Sequence, residues 1–195
     1  VQVLDGAKPA NSAAVRAEAV PGSRWSYSGG GFTVLQLLMT ETAGKRSPDL
    51  MAELGLRPLG MAESTDAQPL PESRRGAAAT GHDPDGKPIP GRFHTYPEMA
   101  AAGLWTTPTD LARFLLEIRQ ALAGRSSVSS ADTAKLMTTV VKEGYGLGLS
   151  LQRLGPAASF GHGGSNEGFR CHMTAFIANG RGVVIMTNSD SGGRL

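Results

Sequence analysis

Cysteine is almost absent from this chain of 195 residues: Cys171 stands alone, so no internal disulfide can form and a cysteine-rich zinc site is excluded. Long apolar runs are missing too. None reaches the roughly 18 residues of a membrane span, and the opening Val1-Gln2-Val3-Leu4-Asp5-Gly6 shows none of the three regions of a secretory leader. Charge of one sign is nowhere concentrated. Lys plus Arg number 19 against 17 Asp plus Glu, with no basic block to serve as a nucleic-acid stripe. What remains, 40% hydrophobic and 18% charged residues, is the balance of a folded core. The chain starts at Val1 and stops at Leu195 soon after a strand-like run, and both ends are expected to continue in a longer polypeptide.

Glycine, by contrast, is locally abundant. Between two β-patterned runs lies Ser159-Phe160-Gly161-His162-Gly163-Gly164-Ser165-Asn166-Glu167-Gly168, with four glycines from Gly161 to Gly168 and one imidazole among them. Such a stretch lets backbone come close to another group. It suits a strand edge lining a cleft, and it suits equally a hairpin turn with a hydrated histidine; taken alone it leaves both readings open.

The rest of the chain supplies helices first and strands last. Residues 11–18 offer a cap and helix formers before Pro21-Gly22. Thr33 to Gly44 reads as a helix whose apolar positions Val34, Leu35, Leu37, Leu38 and Met39 cover most of the circumference, which predicts burial. Tyr27-Ser28-Gly29 then falls at its N-terminal mouth. Ser47-Pro48-Asp49 starts a short helix ending at Gly55. The polar stretch 62–98 contains Asp83-Pro84-Asp85-Gly86-Lys87, a hairpin turn in preference to a calcium loop, since further carboxylates are lacking. Thr107-Pro108-Thr109-Asp110 opens the clearest helix, with Leu111, Phe114, Leu115, Ile118 and Leu122 at core spacing, and a short helix follows over 131–140. From Tyr145 the apolar period becomes two, with short connections such as Asn179-Gly180, which predicts an antiparallel meander. The expected fold class is α+β in a single domain, helices over about 11–140 packed on antiparallel strands over about 145–190.

Two local chemistries fail on the residues. Gly163-Gly164-Ser165-Asn166-Glu167 has glutamate where a nucleophile elbow needs glycine, and a strand pattern follows where a helix is required. A metal site from His162, Cys171 and His172 is disfavoured because adjacent strand residues point to opposite faces, so no metal or other cofactor is expected.

Three blocks taken together carry a resemblance: Tyr27-Ser28-Gly29 before a helix, Ala101-Ala102-Gly103-Leu104-Trp105 before Thr107-Pro108-Thr109-Asp110-Leu111-Ala112-Arg113-Phe114, and Gly161-His162-Gly163-Gly164-Ser165 before Gly168-Phe169-Arg170. With Asn188-Ser189-Asp190 after the last strand pattern, the chain resembles the class C β-lactamase and penicillin-binding-protein-like serine hydrolases from about Pro21 to Asp190. The resemblance implies a β-lactamase/transpeptidase-like fold and an acyl-enzyme mechanism. It makes Tyr27 the tyrosine of Tyr-x-Asn, which moves protons together with a lysine; a phenol does so near neutral pH only beside positive charge. His162-Gly163-Gly164 corresponds to the Lys-Thr-Gly strand in its histidine form, and the backbone N–H of Ser165 becomes an oxyanion donor. Ser28, Gly29, His162, Gly163 and Gly164 are then substrate-binding.

Two departures follow. Gly29 stands where the family has asparagine, which bears on lactam or peptide specificity and leaves ester, peptide and β-lactam carbonyls all open. No serine here has a lysine three positions on, so the Ser-x-x-Lys nucleophile is expected upstream of this chain, which would then be the C-terminal part of the enzyme and inactive alone. The family implies a periplasmic or secreted location and leaves the oligomeric state open. The rival class is a non-catalytic ligand-binding or regulatory module on the same fold.

Overall fold

In the computed structural model, which describes residues 1–154 and 157–194, the helices precede the sheet. They are α1 (Gln2–Asp5), α2 (Gly29–Ala43), α3 (Ser47–Met51) continued by a π-helical turn (Ala52–Leu56), α4 (Glu72–Arg75), α5 (Met99–Ala102), α6 (Pro108–Leu122) and α7 (Ala131–Met137). Strands β1 (Ser150–Leu154), β2 (Ala157–Asn166), β3 (Phe169–Phe176) and β4 (Gly182–Thr187) follow, with a 3₁₀ turn at Asp190–Arg194. The chain divides into two units: Val1–Leu54, Thr65–Gly76 and Thr95–Trp105 form one; Gly55–Ser64, Ala77–His94 and the chain from Thr106 onward form the other.

In the first unit the helix expected over 11–18 does not form. The first helix is instead α1, closed by left-handed Gly6, and the following chain folds back so that Val15 N donates to Leu4 O at 2.9 Å. A Cβ on Gly6 would lie 2.6 Å from Ala14 N, so the return depends on glycine there, and this packing overrides the helix propensity of 13–18. α2 starts as expected, with Ser28 Oγ accepting from Gly31 N at 2.9 Å, and stops at left-handed Gly44. The predicted burial of α2 is not met: Val34, Leu35, Leu38 and Met39 are exposed and Thr33 is the buried position. The short helix does not stop at Gly55 but widens through the π turn to Leu56.

Two glutamines hold the segment 96–103 in place. Gln36 accepts from Ala100 N at 2.9 Å and donates to Pro97 O at 3.3 Å, while Gln68 accepts from Tyr96 N at 3.3 Å and donates to Gly103 O at 2.8 Å. Each carboxamide therefore satisfies one backbone donor and one acceptor that no regular element would pair.

The second unit is built on α6 and the sheet, whose order is β1-β2-β3-β4 with every neighbouring pair antiparallel. α6 begins as its sequence predicts, Thr107 Oγ1 accepting from Asp110 N with Pro108 in the first turn. Leu115 and Ile118 pack with Leu149, Phe160 and Ala175, while Leu111 joins Leu56 and Met61. Asp110, only 1% exposed, accepts from Glu63 N at 3.0 Å and Ser64 Oγ at 2.8 Å and pairs with Arg113 at 2.5 Å. The start of α6 is thereby tied to a turn nearly fifty residues upstream. Asp83 caps its own hairpin as expected, accepting from Asp85 N and Lys87 N, with Gly86 left-handed. The β pattern read from Tyr145 becomes regular strand only at Ser150, because positive φ at Glu143, Gly144 and Gly148 coils the chain before it.

Candidate functional site

Tyr27, Ser28 and Gly29 sit in sequence at the start of α2. Ser28 has extended backbone and its hydroxyl oxygen caps the helix, so its first role is structural. Tyr27 is 62% exposed. Gly29 is the first residue of α2, and a Cβ there would find its nearest neighbour, Ala101 Cβ, at an ordinary 3.7 Å. The fold therefore has room for a side chain that the sequence does not supply.

His162, Gly163, Gly164 and Ser165 lie in the second unit on β2, which settles the Gly-rich stretch as strand; its turn comes later, at Glu167-Gly168. Ile177 N donates to Ala158 O at 2.9 Å, which sets the alternation along β2. Even-numbered residues turn their N–H and C=O toward β3 and odd-numbered ones toward the β1 side, as Ser150 Oγ donating to Gly161 O at 2.8 Å agrees. Pairing with β1 ends at Ser150↔Gly161, whereas pairing with β3 runs on to Asn166↔Phe169. The backbone groups of Gly163 and Ser165 therefore face the flank of β2 beyond the end of β1. That flank is the strand edge anticipated from the glycines.

The two adjacent glycines do different things. A Cβ on Gly164 would come 2.4 Å from Cys171 Sγ, so Gly164 makes room for a sulfur on the neighbouring strand. At Gly163 nothing lies closer than 3.8 Å, so packing does not demand glycine there. Gly163 itself is exposed. His162 meets Gly163 O through Nδ1, and since a carbonyl only accepts, Nδ1 carries the hydrogen of that contact.

Cys171 shares its face of the sheet with His162, and His172 takes the opposite face, as strand alternation requires. Burial pushes the Cys171 thiol pKa up, which keeps it protonated and unreactive. Among the described residues no three His, Cys, Asp or Glu side chains gather as a metal site would need.

In the sequence Asp110 shows only as part of a helix start, and nothing marks Asp66. Asp66 is 2% exposed and accepts from Ser47 Oγ at 3.0 Å, and burial raises its pKa. Arg170 and Asp190 were legible only as members of motif blocks; in the fold they pair at 2.7 Å beside the β2–β3 turn.

Comparisons with known proteins bear on the family and the fold. The family model described as beta-lactamase matches residues 6–195. The D-aminopeptidase of Brucella anthropi is 26% identical over 186 residues, an overlap of 88% of this chain and 33% of that protein. This chain thus spans about a third of the length of that relative. Among solved structures, the octameric penicillin-binding protein homologue from Pyrococcus abyssi is 25% identical with a TM-score of 0.72, over 90% of this chain and 41% of that one. A class C beta-lactamase matches in fold with a TM-score of 0.74 at 18% identity, over 91% of this chain and 56% of its own.

Proposed function

Because this chain belongs to the beta-lactamase family of hydrolases, we propose that it contributes the proton-transfer tyrosine and an oxyanion donor to a serine hydrolase working through an acyl-enzyme. The observation that carries the reading is the flank of β2: Ser165 N–H faces away from β3, beyond the end of β1, with Gly163 bare of side chain next to it. A backbone donor held by a strand needs no reorganisation when negative charge develops on a carbonyl oxygen, which is where electrostatic stabilisation is most effective.

In the proposed reaction a serine outside these 195 residues attacks an amide or ester carbonyl, its proton passing to Tyr27 and a partner lysine. The oxygen of the tetrahedral intermediate is held by Ser165 N–H and a second donor. Collapse returns the proton to the leaving amine or alcohol, and water then releases the acyl group by the same steps reversed. The absence of Ser-x-x-Lys from this sequence supports an external nucleophile, as does the one-third coverage of the D-aminopeptidase. His162, with Nδ1 engaged by Gly163 O, serves binding and local charge and is not the general base. The D-aminopeptidase relative makes D-amino acid amides the first substrates to try; Gly29, lacking an amide side chain, favours small esters as the second.

The test uses the full-length protein with D-alanine p-nitroanilide and p-nitrophenyl acetate. Turnover is expected, and Tyr27→Phe is expected to lower it by about 10² to 10⁴-fold, the usual weight of a general acid–base group. Full activity in that variant removes Tyr27 from the mechanism. No turnover of either substrate, with binding retained, favours a non-catalytic module.

A further inference from the structure

The β2–β3 turn is held by more than its own hairpin. Arg170 Nη1 donates to Asn166 O at 2.7 Å and to Phe169 O at 2.8 Å, and meets Asp190 Oδ1 at 2.7 Å. Asp190 Oδ1 also accepts from Gly168 N at 2.9 Å. From the other side His82 N donates to Gly168 O at 3.3 Å and Asp190 N donates to His82 O at 2.9 Å. Backbone groups of Asn166, Gly168 and Phe169 are thus each engaged by this clamp. The side chains are mostly shielded, Arg170 28% and Asp190 12% exposed, so the ion pair is weakly screened by solvent.

Packing closes the same turn. Gly168 is left-handed, and a Cβ there would lie 2.7 Å from Ile89 and 2.9 Å from Gly81; a Cβ on Gly81 would lie 2.7 Å from the Phe169 ring. The hairpin around Asp83 is therefore pressed onto the turn with no space for a methyl group. Gly168 has positive φ and Glu167 does not, so this two-residue turn is not one of the primed turns that hairpins favour, and the contacts from outside the hairpin hold it in place.

What this rigidity serves is set by register. Ser165 and Arg170 are paired across β2 and β3, and Ser165 is followed directly by Asn166, whose carbonyl Arg170 holds. On its β1 flank Ser165 lies beyond the last β1 pair, so the direction of its N–H is fixed from β3 and from the turn. We infer that Arg170 and Asp190 are positioning residues: they hold the end of β2 so that Ser165 N–H keeps the direction an oxyanion requires. Neither touches the reacting atoms. The inference rests on the reading of Ser165 as an oxyanion donor, and the experiment separates the failure of one from the failure of the other.

The full-length protein is assayed with p-nitrophenyl acetate and with its thionoacetate counterpart, whose sulfur accepts hydrogen bonds poorly. The wild type is expected to prefer the oxygen ester by at least about tenfold more than hydroxide does, the sign of an oxyanion donor in use. Arg170→Met is expected to lower kcat on the oxygen ester by about tenfold or more with KM within about threefold, and to shrink the oxygen preference. The double variant Arg170→Met/Asp190→Asn removes the uncompensated charge, so it should recover thermal stability while kcat stays low. Arg170→Lys, which keeps a charged donor and serves if Arg170→Met does not fold, should recover part of kcat and of the oxygen preference. A wild type without oxygen preference overturns the oxyanion reading, and this inference with it. A wild type with that preference, alongside variants whose kcat and preference simply follow their thermal stability, overturns the positioning role alone.

Discussion

Helices α2 and α6 are both 15 residues long, both capped by a hydroxyl side chain, and differ in how their apolar residues are used. α6 places Leu111, Leu115, Ile118 and Ala121 on one buried face and sends Arg113, Leu116 and Gln120 outward. α2 is apolar on nearly every side, carries three glycines in its first turn, and leaves Phe32, Val34, Leu35, Leu38 and Met39 exposed. The buried carboxylates repeat the contrast. Asp110 in the second unit has donors from Glu63, Ser64 and Arg113, whereas Asp66 in the first has Ser47 on Oδ2 and no partner for Oδ1 among the described residues. An apolar pattern states what a helix is able to bury; whether it is buried depends on what the fold brings to it.

The comparison can be sharpened by mutation. Ile118→Ala opens a cavity in the packed cluster beneath the sheet and is expected to cost about 2–5 kcal/mol in urea unfolding. A loss below about 1 kcal/mol would mean that α6 is not the centre of that core. Asp110→Ala strands the Glu63 N–H in a buried place, leaves the Ser64 hydroxyl only Thr106 Oγ1 and takes the carboxylate from Arg113, with an expected loss of about 2–4 kcal/mol, discounted for the half-exposed guanidinium.

On the other side of the contrast, Asp66→Asn should behave in the opposite way. A carboxyl whose pKa is raised by folding binds its proton more tightly in the native state, so the associated stability is full at acid pH and is lost as pH rises from the ordinary carboxylate range through the raised value. Relative to wild type, the asparagine variant should gain stability toward neutral pH and show no gain below about pH 4. Thermal melts across pH check it, and a variant destabilised at neutral pH but less so in acid would mean that Asp66 is held ionised by partners. The smallest effect is expected at Leu38→Lys on the exposed face of α2, within about 0.5 kcal/mol in this chain alone, with weaker binding of a hydrophobic dye.

How much of this was legible in the sequence follows from the range of the interactions involved. The cap and core face of α6, the Asp85-Gly86 hairpin and the antiparallel order of the strands are local patterns, and each appears as read. The missing helix at 11–18 was lost to a contact with Leu4 that no propensity records, and the late start of β1 to positive φ values at Glu143, Gly144 and Gly148. Of the candidate site, the sequence gives the order of residues along β2; which flank Ser165 N–H faces depends on where β1 ends. Gly163 and Gly164 look alike in sequence. Only the position of Cys171 Sγ shows that one is required by packing and the other is not. The clamp of Arg170 and Asp190 joins residues twenty positions apart in sequence through a turn, which motif blocks mark without explaining.

The central claim, a serine hydrolase whose nucleophile lies outside these residues, is tested most directly by treating the full-length protein with a fluorophosphonate and mapping the adduct by mass spectrometry. The account predicts one adduct per molecule, on a serine followed three residues later by lysine and absent from this chain, blocked by prior treatment with a slowly deacylating penicillin or ester. An adduct on Ser165 or any other serine of these 195 residues, or no adduct in a folded preparation, would contradict it.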